Sequence, residues 1–219
     1  SAATCPSGMV ERLVDDFSAG VCGWTQNSLS SHNPVQSNIP TVVGGVYTWP
    51  ASVPAVGGGH HRALLSSGGP SFRIGARVRG PQGPGAAPGW AGVGIFATNS
   101  TGTINYSGYS VEYGFGYTCL WYPGHNQAWH VQIQVANGSL PPQHLAHGSV
   151  AQAADDQWHQ FECGRKADGS WYANVDSTPV VFTTNTPDLQ YTQLTHASLY
   201  LDGGSSLFGI DDLSVCTEP

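Results

Sequence analysis

At 219 residues the chain is long enough to bury roughly 70% of its unfolded surface in one core. Charged residues make up only 10% of it, against about 25% in ordinary globular chains, and 29 glycines and 15 prolines punctuate it throughout. Seven Lys and Arg against fourteen Asp and Glu give a formal net charge of −7, with Lys166 the single lysine. That balance argues against nucleic acid as a partner, which needs clustered cations, and against attachment to anionic membranes. No run approaches the roughly 18 apolar residues of a spanning helix, so no membrane insertion is expected.

The chain begins SAATCPSG, as a processed secreted product does, and carries Asn-x-Ser/Thr sequons at Asn99, Asn105 and Asn137. A secreted, extracellular glycoprotein is the expectation. Cys5, Cys22, Cys119, Cys163 and Cys216 contain no C-x-x-C pair, which favours disulfides over structural zinc. Cys119 is expected to pair with Cys163, and Cys5 with either Cys22 or Cys216, the sequence leaving the connectivity open.

Along the chain, no heptad and no sustained 3.6-residue apolar period appears; the best helix candidate, Ser149 to Asp156, is one or two turns. The N-terminal third is rich in Pro and Gly and is expected to wrap a sandwich in long loops. Strands begin clearly at SFRIGARVRG, where Phe72, Ile74, Ala76 and Val78 alternate with Arg73, Gly75, Arg77 and Arg79. RGPQGPGAAPGW, residues 79 to 90, reads as a loop between strands. GWAGVGIFAT and YSVEYGFGYTCLWY follow as strands, then HVQIQV, with Val131, Ile133 and Val135 alternating against His130, Gln132 and Gln134. QWHQFEC, SWYANVD, ASLYLDG and LFGIDDLSV complete the set. Eight or more strands with tight turns predict an all-β fold, a two-sheet antiparallel sandwich with long loops, as one domain over 1–219.

Residues 155 to 181, DDQWHQFECGRKADGSWYANVDSTPVV, together with the opening LVDDFSAGVCGWT and the closing FGIDDLSV, resemble the concanavalin A-like, laminin-G-like jelly roll. The resemblance implies a jelly roll from a superfamily of secreted glycan-binding and glycan-cleaving proteins. It also implies a structural Ca²⁺ where first and last strands meet, with Asp211, Asp16 and the Gly44-Gly45 turn as oxygen ligands. Strict alternation sets Ile210 and Asp212 on one face and Asp211 and Leu213 on the other, so either choice of core face takes in a carboxylate that must be paired or metal-bound.

Functional candidates come from the middle strands. TCLWYPGHNQAWH gathers Trp121, Tyr122, His125 and Trp129, suited to stacking on sugar rings. With Glu112, Gln134, Arg77, His130 and Gln132 they form an expected polysaccharide-binding surface; Trp24, Trp158 and Trp171 are assigned to the core. No Glu-x-Asp-x-x-Glu pattern is present, which disfavours a glycoside hydrolase. A polysaccharide lyase is the enzymatic alternative: Arg77 and Gln132 neutralise a uronate while His130 or Tyr117 handles the proton. HVQIQV resembles the Gln-Ile-His strand of jelly-roll alginate lyases, with Gln134 in place of the histidine. Nine histidines, His60-His61 and His125, His130 and His144 among them, raise a lesser possibility of a transition metal. A third reading is a structural or adhesive extracellular domain that recognises no sugar.

Overall fold

The computed structural model describes residues 5–26, 41–48, 58–79, 90–106, 109–122, 130–136, 143–150, 157–202 and 209–219. Among them are sixteen strands and no helix: β1 (Val10–Asp15), β2 (Thr25–Gln26), β3 (Thr41–Val43), β4 (Val46–Thr48), β5 (Gly58–Gly68), β6 (Phe72–Arg79), β7 (Trp90–Tyr106), β8 (Tyr109–Trp121), β9 (Val131–Ala136), β10 (Gln143–Ser149), β11 (Trp158–Arg165), β12 (Trp171–Val175), β13 (Thr178–Pro179), β14 (Val181–Asn185), β15 (Leu194–Asp202) and β16 (Gly209–Thr217). Part of the expected short helix falls in the end of β10, and residues 151–156 lie outside the described residues.

Two antiparallel eight-stranded sheets form the sandwich. The first runs β13-β12-β11-β6-β16-β4-β3, with β1 also pairing β16; the second runs β14-β10-β9-β8-β7-β15-β5-β2. The alternation read in the sequence decides the inner faces. Phe72, Ile74, Ala76 and Val78 of β6 meet Tyr117, Cys119 and Trp121 of β8, Val131, Ile133 and Val135 of β9, and Ala197, Leu199 and Leu201 of β15 in one core. Cys119 and Cys163 join across that core, linking β8 of the second sheet to β11 of the first. Cys5 pairs with Cys216, and Cys22 is an exposed free thiol. Two disulfides are the chemistry of an oxidising compartment.

The strand β16 departs from strict alternation. Asp211 is opposite Arg77 and Ser214 opposite Gly75, so Asp212 and Leu213 together face Ala76 in a bulge, with Asp212 at φ 49°. The extra residue resets the alternation: Ile210, Leu213 and Val215 are all in the core, and both aspartates stay out of it. The expectation that one carboxylate must enter the core is therefore corrected.

Between the sheets lies a buried cation. Arg165, with no exposed surface, donates from Nε to the Pro70 carbonyl at 2.6 Å, from Nη1 to that of Asp188 at 3.2 Å and from Nη2 to that of Tyr191 at 2.7 Å. Its guanidinium sits 4.6 Å from the Tyr117 ring centroid and 5.4 Å from that of Phe72. Carbonyl oxygens and ring faces thus replace the water that the charge has lost.

A second polar contact crosses the core where the Tyr47 hydroxyl of β4 and Nδ1 of His60 of β5 share a hydrogen bond of 2.9 Å. Burial pushes the Tyr47 hydroxyl well above its ordinary range and the His60 imidazole down to about 4, with His61 adding to the latter. His60 is therefore neutral in the fold but ordinary once unfolded. Its contribution is complete above about pH 6.5 and is lost as pH falls toward 4, about 2 kcal/mol after allowance for solvent screening. Urea unfolding at several pH values will show this fall, and His60→Phe will flatten the slope relative to the parent. Removing the inter-sheet disulfide, which closes a separation of 44 residues, with Cys119→Ala/Cys163→Ala will lower unfolding stability by about 4 kcal/mol.

Candidate functional site

The outer face of the second sheet follows from the core. Cys119 pairs with Ile133 and both point inward, so the neighbouring cross-strand pairs, Thr118 with Gln134 and Leu120 with Gln132, point outward. On β10 a register shift between His144 and Ala146 sets Leu145 and Ala146 both into the core. His144, opposite Gln134, and His147, opposite Gln132, then share the outer face.

These residues form one network. Gln132, 2% exposed, accepts at Oε1 from the Tyr122 hydroxyl and from Gln134 Nε2, both at 3.1 Å, and donates from Nε2 to His144 Nδ1 at 2.6 Å. The two donors at Oε1 fix the orientation of the Gln132 amide, so Nδ1 of His144 is an acceptor and the ring is neutral with its proton on Nε2. Burial and the nearby His147 hold the His144 pKa below the ordinary value. His130, at the entry to β9, donates its backbone N–H to the Gly148 carbonyl and accepts that of Tyr122, both at 2.8 Å. Its Nδ1 is buried and has no hydrogen-bond partner among the described residues.

Further across the same face, β7 contributes glycines. A Cβ at Gly94 would meet Ser198 Oγ at 2.4 Å, and one at Gly92 would meet Leu120 Cδ2 at 2.8 Å, so neighbouring side chains lean into the space that these glycines leave. On the far side, His61 of β5 and His196 of β15 approach edge to face, ring centroids 5.9 Å apart, and His196 Nδ1 is 2.8 Å from the Thr195 hydroxyl.

The sequence candidates divide. Gln132, Gln134, Tyr122 and His130 are brought together, with His144 added to them. Trp121 is 1% exposed, packed inside with its ring nearly parallel to that of Phe161 at 6.2 Å, and offers no face to a sugar. Tyr117 is likewise internal, donating to Asp188 Oδ1 at 2.5 Å and accepting the Tyr191 N–H at 3.0 Å; burial and Asp188 push its hydroxyl far up. Neither the role of Trp121 as a sugar platform nor that of Tyr117 as a proton carrier fits these positions. Arg77 lies on β6 of the first sheet, on the opposite side of the sandwich from Gln132, so those two do not act on one uronate. Trp129 and His125 lie outside the described residues, and of Glu112 the structure describes the backbone, opposite Thr103. Trp24 and Trp171 are core residues as expected. Trp158 is not: it is half-buried, with the Arg77 and Arg79 guanidinium carbons 5.0 and 5.1 Å from its ring centroid.

The two aspartates of β16 meet at Arg77, whose Nη1 is 3.5 Å from Asp211 Oδ2 and 3.5 Å from Asp212 Oδ2. The bulge turns both to one cation, where alternation separated them. Ile210 pairs with Tyr47 and Asp15 with Leu213, so the Gly44-Gly45 turn and Asp16 are both brought to the level of this bulge. Burial raises the Asp211 pKa, and the charges of Asp212 and Asp16 add to it. Asp16, by contrast, is exposed and lowered by its bonds to Ser18. Gly45 has φ 79° with open space where a Cβ would stand. These oxygens fit a hard cation in kind, with Arg77 already supplying one positive charge. His60 and His61 point to opposite faces, and among the described residues no three His, Cys, Asp or Glu side chains converge as metal ligands.

No protein-family model matches the sequence and no curated protein is significantly similar to it. Among solved structures the chain is similar to the carbohydrate recognition domain of Emp47p (TM-score 0.62, 12% identity, covering 99% of this chain and 100% of that one). It is similar also to the exoplasmic/lumenal domain of VIP36 in a Ca²⁺/Man2-bound form (0.64, 9%, 98% and 90%). A third is the CBM2 module of the evolved Dit of Lactobacillus casei BL23 phage J-1 (0.63, 14%, 95% and 96%). At these identities the likeness is one of fold, and with two antiparallel sheets, the stapled core and the matches over nearly the whole chain, this protein has the concanavalin A-like jelly-roll fold.

Proposed function

We propose that this chain is a secreted glycan-binding domain and that it binds its polysaccharide on the outer face of the second sheet. The observation that carries the reading is the network joining Tyr122, Gln132, Gln134 and His144. Gln132 is itself buried and holds the orientation of the groups around it; the half-buried Gln134 and Tyr122 and the exposed His144 meet sugar hydroxyls, which both donate and accept. The half-buried Tyr122 ring supplies an apolar face beside them. The carbohydrate-binding proteins that share the fold support the same reading.

A second reading has its own observation. Gln132, His144 and Tyr122 are the residue types of a uronate lyase, and they are in direct contact here although Arg77 and Tyr117 are elsewhere. In that reaction the Gln134 amide, held by Gln132, would stabilise the charge on the uronate carboxyl group, His130 would take the neighbouring proton and His144 would give its Nε2 proton to the departing glycosidic oxygen. For Ca²⁺, Asp211, Asp16 and the Gly45 carbonyl are the proposed ligands, and the ion would tie β1, β16 and the β3–β4 turn together.

Glycan-array binding will be positive, and Gln132→Ala will weaken it at least about tenfold, since it removes the shared partner of three side chains. Trp121→Phe, a core change, will leave affinity within about twofold. If Gln132→Ala binds as the parent does, the site is elsewhere. An ultraviolet assay for unsaturated product on alginate, glucuronan and pectin separates the lyase, which must give a rising trace that His144→Ala abolishes. Calorimetric titration of chelator-treated protein with Ca²⁺ will give binding heat and a higher melting temperature, both lost in Asp211→Asn; no heat and no thermal shift remove the ion from this account.

A further inference from the structure

All seven fixed cations of the chain are committed elsewhere. Arg73, Arg77 and Arg79 are on β6, Arg12 on β1, Arg165 in the core and Lys166 in the turn after β11. Arg62, on β5 beside the face, bonds to Asp15 at 2.6 Å. The outer face of the second sheet carries imidazoles instead: His130, His144 and His147 at one flank, His61 and His196 at the other. The flanks are four strand intervals apart, from β10 to β15, about 19 Å. Between them lie Gly92, Gly94, Thr118, Leu120 and Ser198, all uncharged.

The groups facing each flank add no charge. Around His144 and His147 these are Gln132 and Gln134 on β9 and Thr184 on β14; around His61 and His196 they are Ser198 and Tyr200 on β15, Gly94 and Phe96 on β7, and Thr25 on β2. No carboxylate is present among the described side chains of this face. Of two further carboxylate residues the backbone is described: Glu112 is four residues before Gly116 on β8, and Asp202 is two after Tyr200 on β15, opposite Trp90. Acidification therefore turns this face positive on a protein whose formal net charge is −7.

We propose that the glycan recognised on this face is an anionic polysaccharide, its carboxylate or sulfate groups engaging the two imidazole flanks, and that affinity rises as the imidazoles take up protons. This rests on the glycan-binding reading and names its ligand class. Each flank sets two imidazoles on one face, His61 and His196 with ring centroids 5.9 Å apart and His144 and His147 opposite the neighbouring Gln134 and Gln132, so that protonation of both members of a pair brings like charges together. In each, one imidazole is held below its ordinary pKa by burial first and by its neighbour second. An anion between the members of a pair removes that repulsion, and by linkage its binding draws in protons.

The test is calorimetry at constant ionic strength at about pH 7.5 and about pH 5, with three polymers of similar length: a neutral glucan, a polyuronate and a sulfated polymer of neutral sugars. Affinity for one or both anionic polymers will rise roughly tenfold on acidification. Proton uptake will show as a dependence of binding heat on buffer ionisation enthalpy, and the glucan will show neither effect. The arm that responds tells carboxylate from sulfate. The gain will shrink in His61→Gln/His196→Gln, and circular dichroism at both pH values checks that the fold is kept. Binding of the glucan, with anionic polymers no tighter at about pH 5, overturns this inference and leaves the glycan-binding reading standing. Silence toward all three polymers overturns both.

Discussion

The disulfide between Cys119 and Cys163 decides which side of the second sheet meets the core, and the position of the site follows from that choice. Side chains on a strand alternate, so a cysteine bonded through the interior sends Tyr117 and Trp121 inward with it and Thr118 and Leu120 outward. Register carries the same choice to β9, where Ile133 opposite Cys119 is internal and Gln132 and Gln134 are external. A one-residue slip of β8 would reverse every one of these assignments. The arrangement of amides on the outer face is thus set by a covalent bond on the inner one.

Two bulges supply what alternation alone does not. In β10 an extra residue puts His144 and His147 on the same face, flanking the pair of glutamines. In β16 an extra residue at Asp212 keeps two adjacent aspartates out of the core and presents both to Arg77. Bulges bend a strand and redirect side chains, and here each creates a cluster that a regular strand would divide between two faces.

Much of the fold was legible in the sequence because β6 and β9 alternate cleanly, and both strands have the inner faces that their patterns predict. The Cys119–Cys163 pair is also expected from the sequence, and it has a consequence for the strand that carries it. Trp121 and Tyr117 share parity with Cys119, so a core disulfide already implied that neither ring faces a ligand. The sequence offers His144 only as a possible metal ligand, and its place beside Gln132 is hidden because HLAH gives a correct face only once the extra residue is known. The aspartate pair misled for the same reason. Arg77 and Gln132 could not be separated from sequence, since identical alternation on two strands does not tell which sheet each belongs to. The buried Arg165 has no sequence signature: its stability comes from three carbonyls and an aromatic cage assembled from distant segments.

The central claim is a location, the outer face of the second sheet around Gln132. Nuclear magnetic resonance reads it directly, through the side-chain amide signals of Gln132 and Gln134 and the imidazole signals of His144, as a glycan selected on an array is added. The account predicts that these signals shift with the added glycan and saturate together, while the indole signal of Trp158 on the opposite sheet stays in place. Shifts confined to Trp158 and the Arg77 guanidinium, with the Gln132 amide unmoved, would contradict it.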